Sequence, residues 1–290
     1  MFKKINISIL IFFALSAIMP VLDQANAVTP VNPTIGPWAF NTNALPALRF
    51  QHSSVLTNGY VYVIGGTDTT NGVVQKTVFV SKLRADGSLG PWSSTTPLPL
   101  ALALHSSVVI NDYIYVIGGQ DNYFGGKIYR NIYYARINTD GSLGSWILSS
   151  NQLPKSLTDH TATVFNGYLY VIGGSTNGGA GNAQNTVYYS KLNADGSLGS
   201  WILNTNSLPQ PRFKHASIVA NGYIYVSGGE NLSSDEVKTL YYAKLNTDGS
   251  VGPWLISVNT PPVELHSHTA QTANGYLYLI GDNIDINIYY

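Results

Sequence analysis

Five of the six histidines in this 290-residue chain recur at one position of a repeat: His52, His105, His160, His215 and His268. A ring of imidazoles is a side-chain set that can bind a transition metal or move protons near neutral pH. Four aspartates recur as regularly. Asp86, Asp140, Asp195 and Asp248 each stand in a nine-residue block such as NADGSLGSW. A carboxylate followed by Gly and Ser faintly resembles a calcium loop. Both sets fall short as sites. Metal-bound histidines are oriented by carboxylates or carbonyls, and no carboxylate repeats beside these. A calcium loop needs several carboxylates, and the block supplies one. The histidines therefore read as structural groups opening an inner strand, and the aspartates as the turn of a hairpin.

A ligand without five-fold symmetry has to be read by residues that break the repeat. Variation concentrates after the glycine pairs, in TDTTNGVVQK, QDNYFGGKIYR, STNGGAGNAQN, ENLSSDEVK and NID. In the second of these, Asp121, Asn122, Tyr123, Phe124, Lys127 and Arg130 combine aromatic faces with amide and charged groups, which suits a sugar or a peptide. Glu230, Asn231, Asp282 and Asp285 complete the candidate ligand-binding set. Glu236, Glu264 and Asp159 are further charges without a repeat counterpart. Three arginines could hold a sialic-acid carboxylate, but no Tyr–Glu nucleophile pair is recognisable. No catalytic residue and no metal ligand is assigned.

The elements that position these residues follow from the repeat. The tryptophans Trp38, Trp92, Trp146, Trp201 and Trp254 are 54, 54, 55 and 53 residues apart. A proline stands six residues before each histidine, and an asparagine six after it, opening NGYVYVIGG or a close copy. Each unit reads as four strands, exemplified by HASIVA, YIYVSGG, LYYAKL and PWLISV. Asn-Gly makes the first hairpin turn, because both residues tolerate positive φ. The Asp-Gly-Ser block makes the last, and the Trp that follows packs between units.

Four-stranded units at this period, closed by glycine pairs and a later Trp, suit a β-propeller. The chain resembles kelch-repeat proteins over nearly all of residues 33–290. Gly65-Gly66, Gly118-Gly119, Gly173-Gly174 and Gly228-Gly229, the Tyr of the third strand and the Trp carry that resemblance. The inserted ADGSLG hairpin lengthens the Tyr-to-Trp gap, and the last unit has Gly281-Asp282 in place of the doublet. Arg49 and Arg212 match the Arg common before this histidine in kelch repeats, which implies a structural role. The expected fold is all-β, a kelch-type propeller of five four-stranded blades. IGPWAFNTNALP (35–46) matches LGSWILNTNSLP (198–209), so residues 35–43 are expected to pair with 284–290 as the last blade's fourth strand.

MFKK, an apolar run and Ala25-Asn26-Ala27 read as a signal peptide of residues 1–27, cleaved after Ala27. Residues 28–290 then form one propeller domain, secreted to the periplasm or outside the cell, with no membrane attachment. The formal charge of zero, without a long basic run, argues against nucleic acid. The absence of cysteine excludes disulfides and thiol catalysis. Secreted kelch proteins include an N-acetylneuraminate epimerase and galactose oxidase; the Cys–Tyr cross-link of the latter is impossible here. The expectation is a monomeric, cofactor-free and non-enzymatic propeller that binds a glycan or protein ligand on its loop face. The alternatives are a carbohydrate-active enzyme, with Glu230 opposite Asp121 or Asp285, and a structural envelope module.

Overall fold

A computed structural model describes residues 5–6, 40–122, 125–281 and 287–289; for 5–6 and 287–289 it describes the backbone. Five antiparallel four-stranded sheets follow one another along the chain. Blade 1 consists of Ser53–Thr57, Tyr60–Ile64, Val78–Lys82 and Ser93–Thr95. Blade 2 consists of Ser106–Ile110, Tyr113–Ile117, Ile132–Arg136 and Ile147–Leu148. Blade 3 has Thr161–Phe165, Tyr168–Ile172, Val187–Lys191 and Ile202–Leu203, and blade 4 has Ala216–Ala220, Tyr223–Ser227, Leu240–Lys244 and Leu255–Ile256. Blade 5 has Thr269–Ala273, Tyr276–Ile280 and Asn287–Tyr289, and its fourth strand is Ile5–Asn6.

The strand order is that expected from the repeat, and the core explains why the second strand is apolar on both faces. Val61 to Ile64 are all buried, as are Ile114 to Ile117 and Leu169 to Ile172, because a blade is covered on each side by its neighbours. One apolar cluster joins blades 1 and 2 through Tyr62, Ile64, Ile114 and Val116. A second joins blades 2 and 3, a third joins 3 and 4, and a smaller one joins 4 and 5 through Ala216, Leu265 and Leu279. The first strands of successive blades lie side by side from blade 1 to blade 5, which makes them the inner strands.

The hairpin block is a turn with fixed internal bonds. In blade 2 the Asp140 Oδ1 accepts from the Ser142 N–H at 2.9 Å and the Ser142 hydroxyl at 2.7 Å, while Asn138 Nδ2 donates to Ser142 Oγ at 2.9 Å. Asp86, Asp195 and Asp248 accept the same two serine bonds. These bonds to the serine hold all four carboxyls below the usual range. The turn docks on the preceding blade: Tyr62 Oη donates to the Gly141 carbonyl at 2.8 Å, and Tyr115 Oη to that of Gly196. Each tryptophan ties its blade to the segment before it. Trp92, Trp146, Trp201 and Trp254 donate from Nε1 to the carbonyls of Asn43, Thr96, Asn151 and Asn206 at 3.0–3.2 Å. Trp38 lies outside the described residues.

One pairing differs from expectation. Ile5 and Asn6 pair with Ile288 and Asn287. Residues 40–43 form no strand, and 35–39 lie outside the described residues. Edge pairing runs through backbone N–H and C=O groups, which any extended segment offers. A repeat match at residues 35–46 therefore predicts a capable strand without excluding a competitor.

Candidate functional site

The residue just before each repeat histidine has an unusual backbone. Gln51, Leu104, Asp159, Lys214 and Ser267 all adopt left-handed backbone, with φ of 54° or 55°. They are joined across the blades. The N–H of Leu104 donates to the Gln51 carbonyl, Asp159 to Leu104, Lys214 to Asp159 and Ser267 to Lys214, at 2.7–3.1 Å. This chain of bonds threads the inner ends of the blades on the face that carries the loops after the glycine pairs. Glycine is the default residue for such a φ, and a side chain there costs on the order of 1–2 kcal/mol. The protein uses no glycine at any of the five and five different side chains instead.

The residues after the glycine pairs fill in behind this rim. Gln120, Ser175 and Glu230 bridge to Ala103, Thr158 and Phe213, two residues before each histidine. Phe50 pairs with Thr67 in the same way. Three of these four are neutral; the fourth, Glu230, is 8% exposed and organises a charged network. Lys214 Nζ lies 2.6 Å from Glu230 Oε1. His266 places Nδ1 3.4 Å from Glu230 and Nε2 3.1 Å from Glu236. The ring thus stands between the two carboxylates, one facing each of its nitrogens. Asp159 stands next on the rim. Burial pushes its carboxyl up to about 6, against the pull of Lys214 and the Thr158 hydroxyl, with Glu230 adding to the rise. Blades 3, 4 and 5 thus gather three carboxylates, one lysine and one histidine at the mouth.

Four of the five recurring histidines, His105, His160, His215 and His268, lie buried beneath the rim. His105 Nε2 meets Ser53 Oγ at 2.8 Å, and His215 Nε2 meets Thr161 Oγ1 at 3.0 Å. Burial lowers His105 and His215 to about 3 and His160 to about 4, so they are neutral at any working pH. Among the described residues no group of three or more His, Cys, Asp or Glu is placed to hold a metal ion.

The other sequence candidates fall into distinct places. Asp121 braces its own loop, accepting from the Lys127 N–H at 2.9 Å and the Tyr129 hydroxyl at 2.7 Å. Lys127 Nζ sits 5.0 Å above the Tyr129 ring. Asn231 caps its loop, accepting from the N–H groups of Ser233 and Asp235, and Asn122 is exposed. Arg130 lines an open, polar cleft of about 290 Å³ with Asn151, Gln152 and Trp201, between blades 2 and 3. Arg49 and Arg212 are wedged into their blades: Arg49 reaches Thr77 Oγ1 at 3.2 Å, and Arg212 reaches Thr239 Oγ1 at 2.7 Å and Tyr241 Oη at 3.3 Å. Tyr123, Phe124, Asp282 and Asp285 lie outside the described residues. Of the candidates, Glu230 belongs to the mouth network, together with the unmatched charges Asp159 and Glu236. Gln51, Leu104, Lys214, Ser267 and His266 were not singled out by sequence. The first four stand directly before a repeat histidine, but two other positions between proline and histidine vary as freely, so the sequence does not mark them out.

Residues 51–282 match the KLHDC2/KLHL20/DRC7 Kelch-repeats domain. The chain belongs to the kelch-repeat family. Kelch domain-containing protein 3 of Rattus norvegicus is 27% identical over 211 residues, covering 70% of this chain and 52% of that protein. Beta-scruin of Limulus polyphemus is 28% identical over 249 residues, covering 83% of this chain and 26% of that protein. The chain thus spans about half the length of the first of these kelch relatives and about a quarter of the second. Among solved structures, that titled "Structure of YjhT" superposes with a TM-score of 0.65 at 14% identity, covering 82% of this chain and 73% of that one; at this identity the likeness concerns the kelch fold alone.

Proposed function

We propose that this kelch propeller is an exported, non-enzymatic binding module that takes a glycan or protein ligand at the mouth ringed by Gln51, Leu104, Asp159, Lys214 and Ser267. One observation carries the reading: at a position where five copies of the backbone favour glycine, the chain keeps five unlike side chains. Strained positions of this kind persist where side chains are needed and cluster at functional sites. The mouth supplies hydrogen-bond acceptors from Asp159, Glu230 and Glu236 and a cation from Lys214. Hydroxyl-rich sugars and polar peptide segments both offer matching donors. Export rests on the signal-like residues 1–27.

A glycan array and a peptide array, probed with the protein and with a Lys214→Ala/Glu236→Gln variant, test the assignment. The expected result is a ligand class bound by the protein and lost by the variant while it remains folded, at a melting temperature lowered by the loss of the cation beside Glu230. Ligands retained by the variant would place binding elsewhere. N-terminal sequencing of exported protein tests the export claim, with Val28 as the expected first residue.

A second reading, catalysis on a carbohydrate, is favoured by the burial of Asp159 at the mouth, which pushes its carboxyl up to about 6, the direction a general acid requires. Turnover of an array ligand that Asp159→Asn abolishes without loss of binding would favour it.

A further inference from the structure

The cleft at Arg130 lies where the outer strands of blades 2 and 3 meet. Ser150, Asn151 and Gln152 follow the fourth strand of blade 2, Ser200 and Trp201 precede that of blade 3, and Arg130 leads into the third strand of blade 2. The first strands are innermost, so this cleft is on the circumference of the propeller and shares no residue with the mouth.

Its walls are fixed from both sides. Asn151 Nδ2 donates to the Leu198 carbonyl at 2.7 Å, and the Asn151 carbonyl accepts from Trp201 Nε1 at 3.2 Å. Amide and indole are thereby held across the seam. The Arg130 carbonyl accepts from the Leu153 N–H at 3.0 Å, which ties its backbone to the segment of the facing wall. The Arg130 side chain itself is exposed. Among the described residues its guanidinium makes no hydrogen bond or ion pair, and the side chains of Ser150, Gln152 and Ser200 make no hydrogen bond.

The repeat supplies the comparison. At the seam of blades 3 and 4, Asn185 and Ser207 hold the positions of Arg130 and Gln152. Asn185 Nδ2 donates there to Ser207 Oγ at 3.3 Å and to the Leu208 carbonyl at 3.4 Å, so the polar groups satisfy one another. The position of Ser200 is Pro253 at that seam, and the position of Gln152 is Pro97 at the seam of blades 1 and 2. Of these three seams, the one between blades 2 and 3 alone carries a hydrogen-bonding side chain at every lining position, and its groups are left facing the cleft.

We infer that this cleft binds one acidic sugar unit, with the carboxylate or sulfate on Arg130 and the sugar hydroxyls on Gln152, Ser150 and Ser200. The lining holds one cation and no acid, so its charge selects an anion. A guanidinium presents paired N–H donors that match such an anion at two points. Amide and hydroxyl side chains both donate and accept, as sugar hydroxyls do. Trp201 adds an apolar ring whose N–H is already satisfied. The volume, about 290 Å³, lies at the foot of the range for small-ligand pockets and suits a single ring better than a length of peptide. The inference goes beyond binding at the mouth and does not rest on it.

The test titrates glucuronate, galacturonate and glucose 6-sulfate into the protein, with glucose and galactose as neutral counterparts, and reads affinity by ligand-observed NMR. The expected result is binding of at least one acidic sugar, with its neutral counterpart tenfold weaker or more. Arg130→Gln should weaken that binding about tenfold or more at an unchanged melting temperature, since the side chain is exposed. The mouth variant Lys214→Ala/Glu236→Gln should bind the acidic sugar as the parent does. The inference is overturned if no acidic sugar binds, if neutral sugars bind equally well, or if Arg130→Gln keeps the affinity. Loss in the mouth variant with retention in Arg130→Gln overturns it too, and places the sugar at the mouth. Hexaglutamate, bound through Arg130 where the acidic sugars are not, would make an acidic peptide the occupant and overturn it likewise. Array ligands indifferent to the mouth variant count against the mouth alone and leave this cleft standing.

Discussion

Ser227 Oγ lies 2.8 Å from His268 Nε2, and the bond crosses from the second strand of blade 4 to blade 5. In blades 1 and 3 the partner of the next histidine is the hydroxyl that opens the inner strand, Ser53 or Thr161. Blade 4 has Ala216 there, and Ala216 is paired directly with Ser227. The hydroxyl has moved across the pair, to a position that is Ile64, Ile117 and Ile172 in the other complete blades. This explains the departure of YVSGG from YVIGG. Ser227→Ala should cost about 1–3 kcal/mol, the loss for a buried polar group that forfeits its partner. Ala216→Ser combined with Ser227→Ile should recover most of it, because it restores the arrangement of blade 1. Urea denaturation of the three variants measures both steps.

The glycines of the hairpin turns separate backbone need from packing need. Gly87 and Gly141 share a φ of 82°. A Cβ at Gly141 would lie 2.5 Å from carbons of the Tyr60 ring, while at Gly87 it meets nothing within 4 Å among the described residues. Gly87→Ala should therefore show the backbone penalty alone, on the order of 1–2 kcal/mol. Gly141→Ala should exceed it by about 1–3 kcal/mol, the cost of overpacking. Equal losses in thermal unfolding would mean that the Tyr60 ring moves aside freely.

Much of this architecture is written in the sequence because repetition multiplies each signal. A lone Asn-Gly or a lone Trp says little; four copies of the one and five of the other in one frame fix the strands, the turns and their order. The closing strand was less legible. Residues 35–46 match the repeat, but backbone edge groups do not distinguish that segment from Ile5–Asn6. The site was legible in part. Unmatched charges pointed to Asp159, Glu230 and Glu236, whereas Asp121 and Asn231 drew notice for the same polarity and serve to brace their own loops. Lys214 and Leu104 were hidden because left-handed backbone at a non-glycine residue leaves no mark in composition.

Acid should destabilise the fold before its exposed carboxylates respond. His105, His160 and His215 have folded-state values of about 3, 4 and 3 against an ordinary 6.5. A depressed base binds its proton in the unfolded chain first, so stability is full above pH 6.5 and falls as pH drops toward 4. Each histidine contributes about 1.4 kcal/mol per pH unit in that window. Asp159 acts oppositely, since its raised carboxyl takes up a proton in the folded state between about 6 and 4. Burial also lowers His52, so at least four histidines favour protonation of the unfolded chain against one carboxyl that favours the fold. Urea midpoints should fall continuously between pH 6 and pH 4, and the hairpin aspartates, held low by their serine bonds, should add their loss only below that. A flat profile from pH 7 to 4 would contradict the buried, neutral state of the histidines.

The rim of the mouth offers a test in which stability and function move apart. Asp159 adopts φ of 55°, and burial raises its carboxyl to about 6 from 3.8. Both features burden the fold. Glycine at this position removes the left-handed strain, on the order of 1–2 kcal/mol, which is offset by about 1 kcal/mol from the greater freedom of glycine in the unfolded chain. It also removes the penalty of the buried charge, about 3 kcal/mol for two pH units at 1.4 kcal/mol each. That penalty is fully present above pH 6 and absent below about pH 4, because a raised carboxyl destabilises only where the unfolded chain would be ionised. Lys214 keeps its partner, since Glu230 remains 2.6 Å away. Asp159→Gly should therefore be more stable than the unsubstituted protein at pH 8, by roughly 3–4 kcal/mol, with the gain shrinking to about 1 kcal/mol or less at pH 4. It should at the same time lose affinity for whichever array ligand the mouth takes, by tenfold or more for a charged hydrogen bond of about 1.5–3 kcal/mol. Asp195→Ala, in a hairpin remote from the rim, should do the reverse: lower the melting temperature and leave affinity unchanged. A destabilised Asp159→Gly at pH 8, or one that binds as well as the parent, would show that the side chain at this strained position serves the fold and not the ligand.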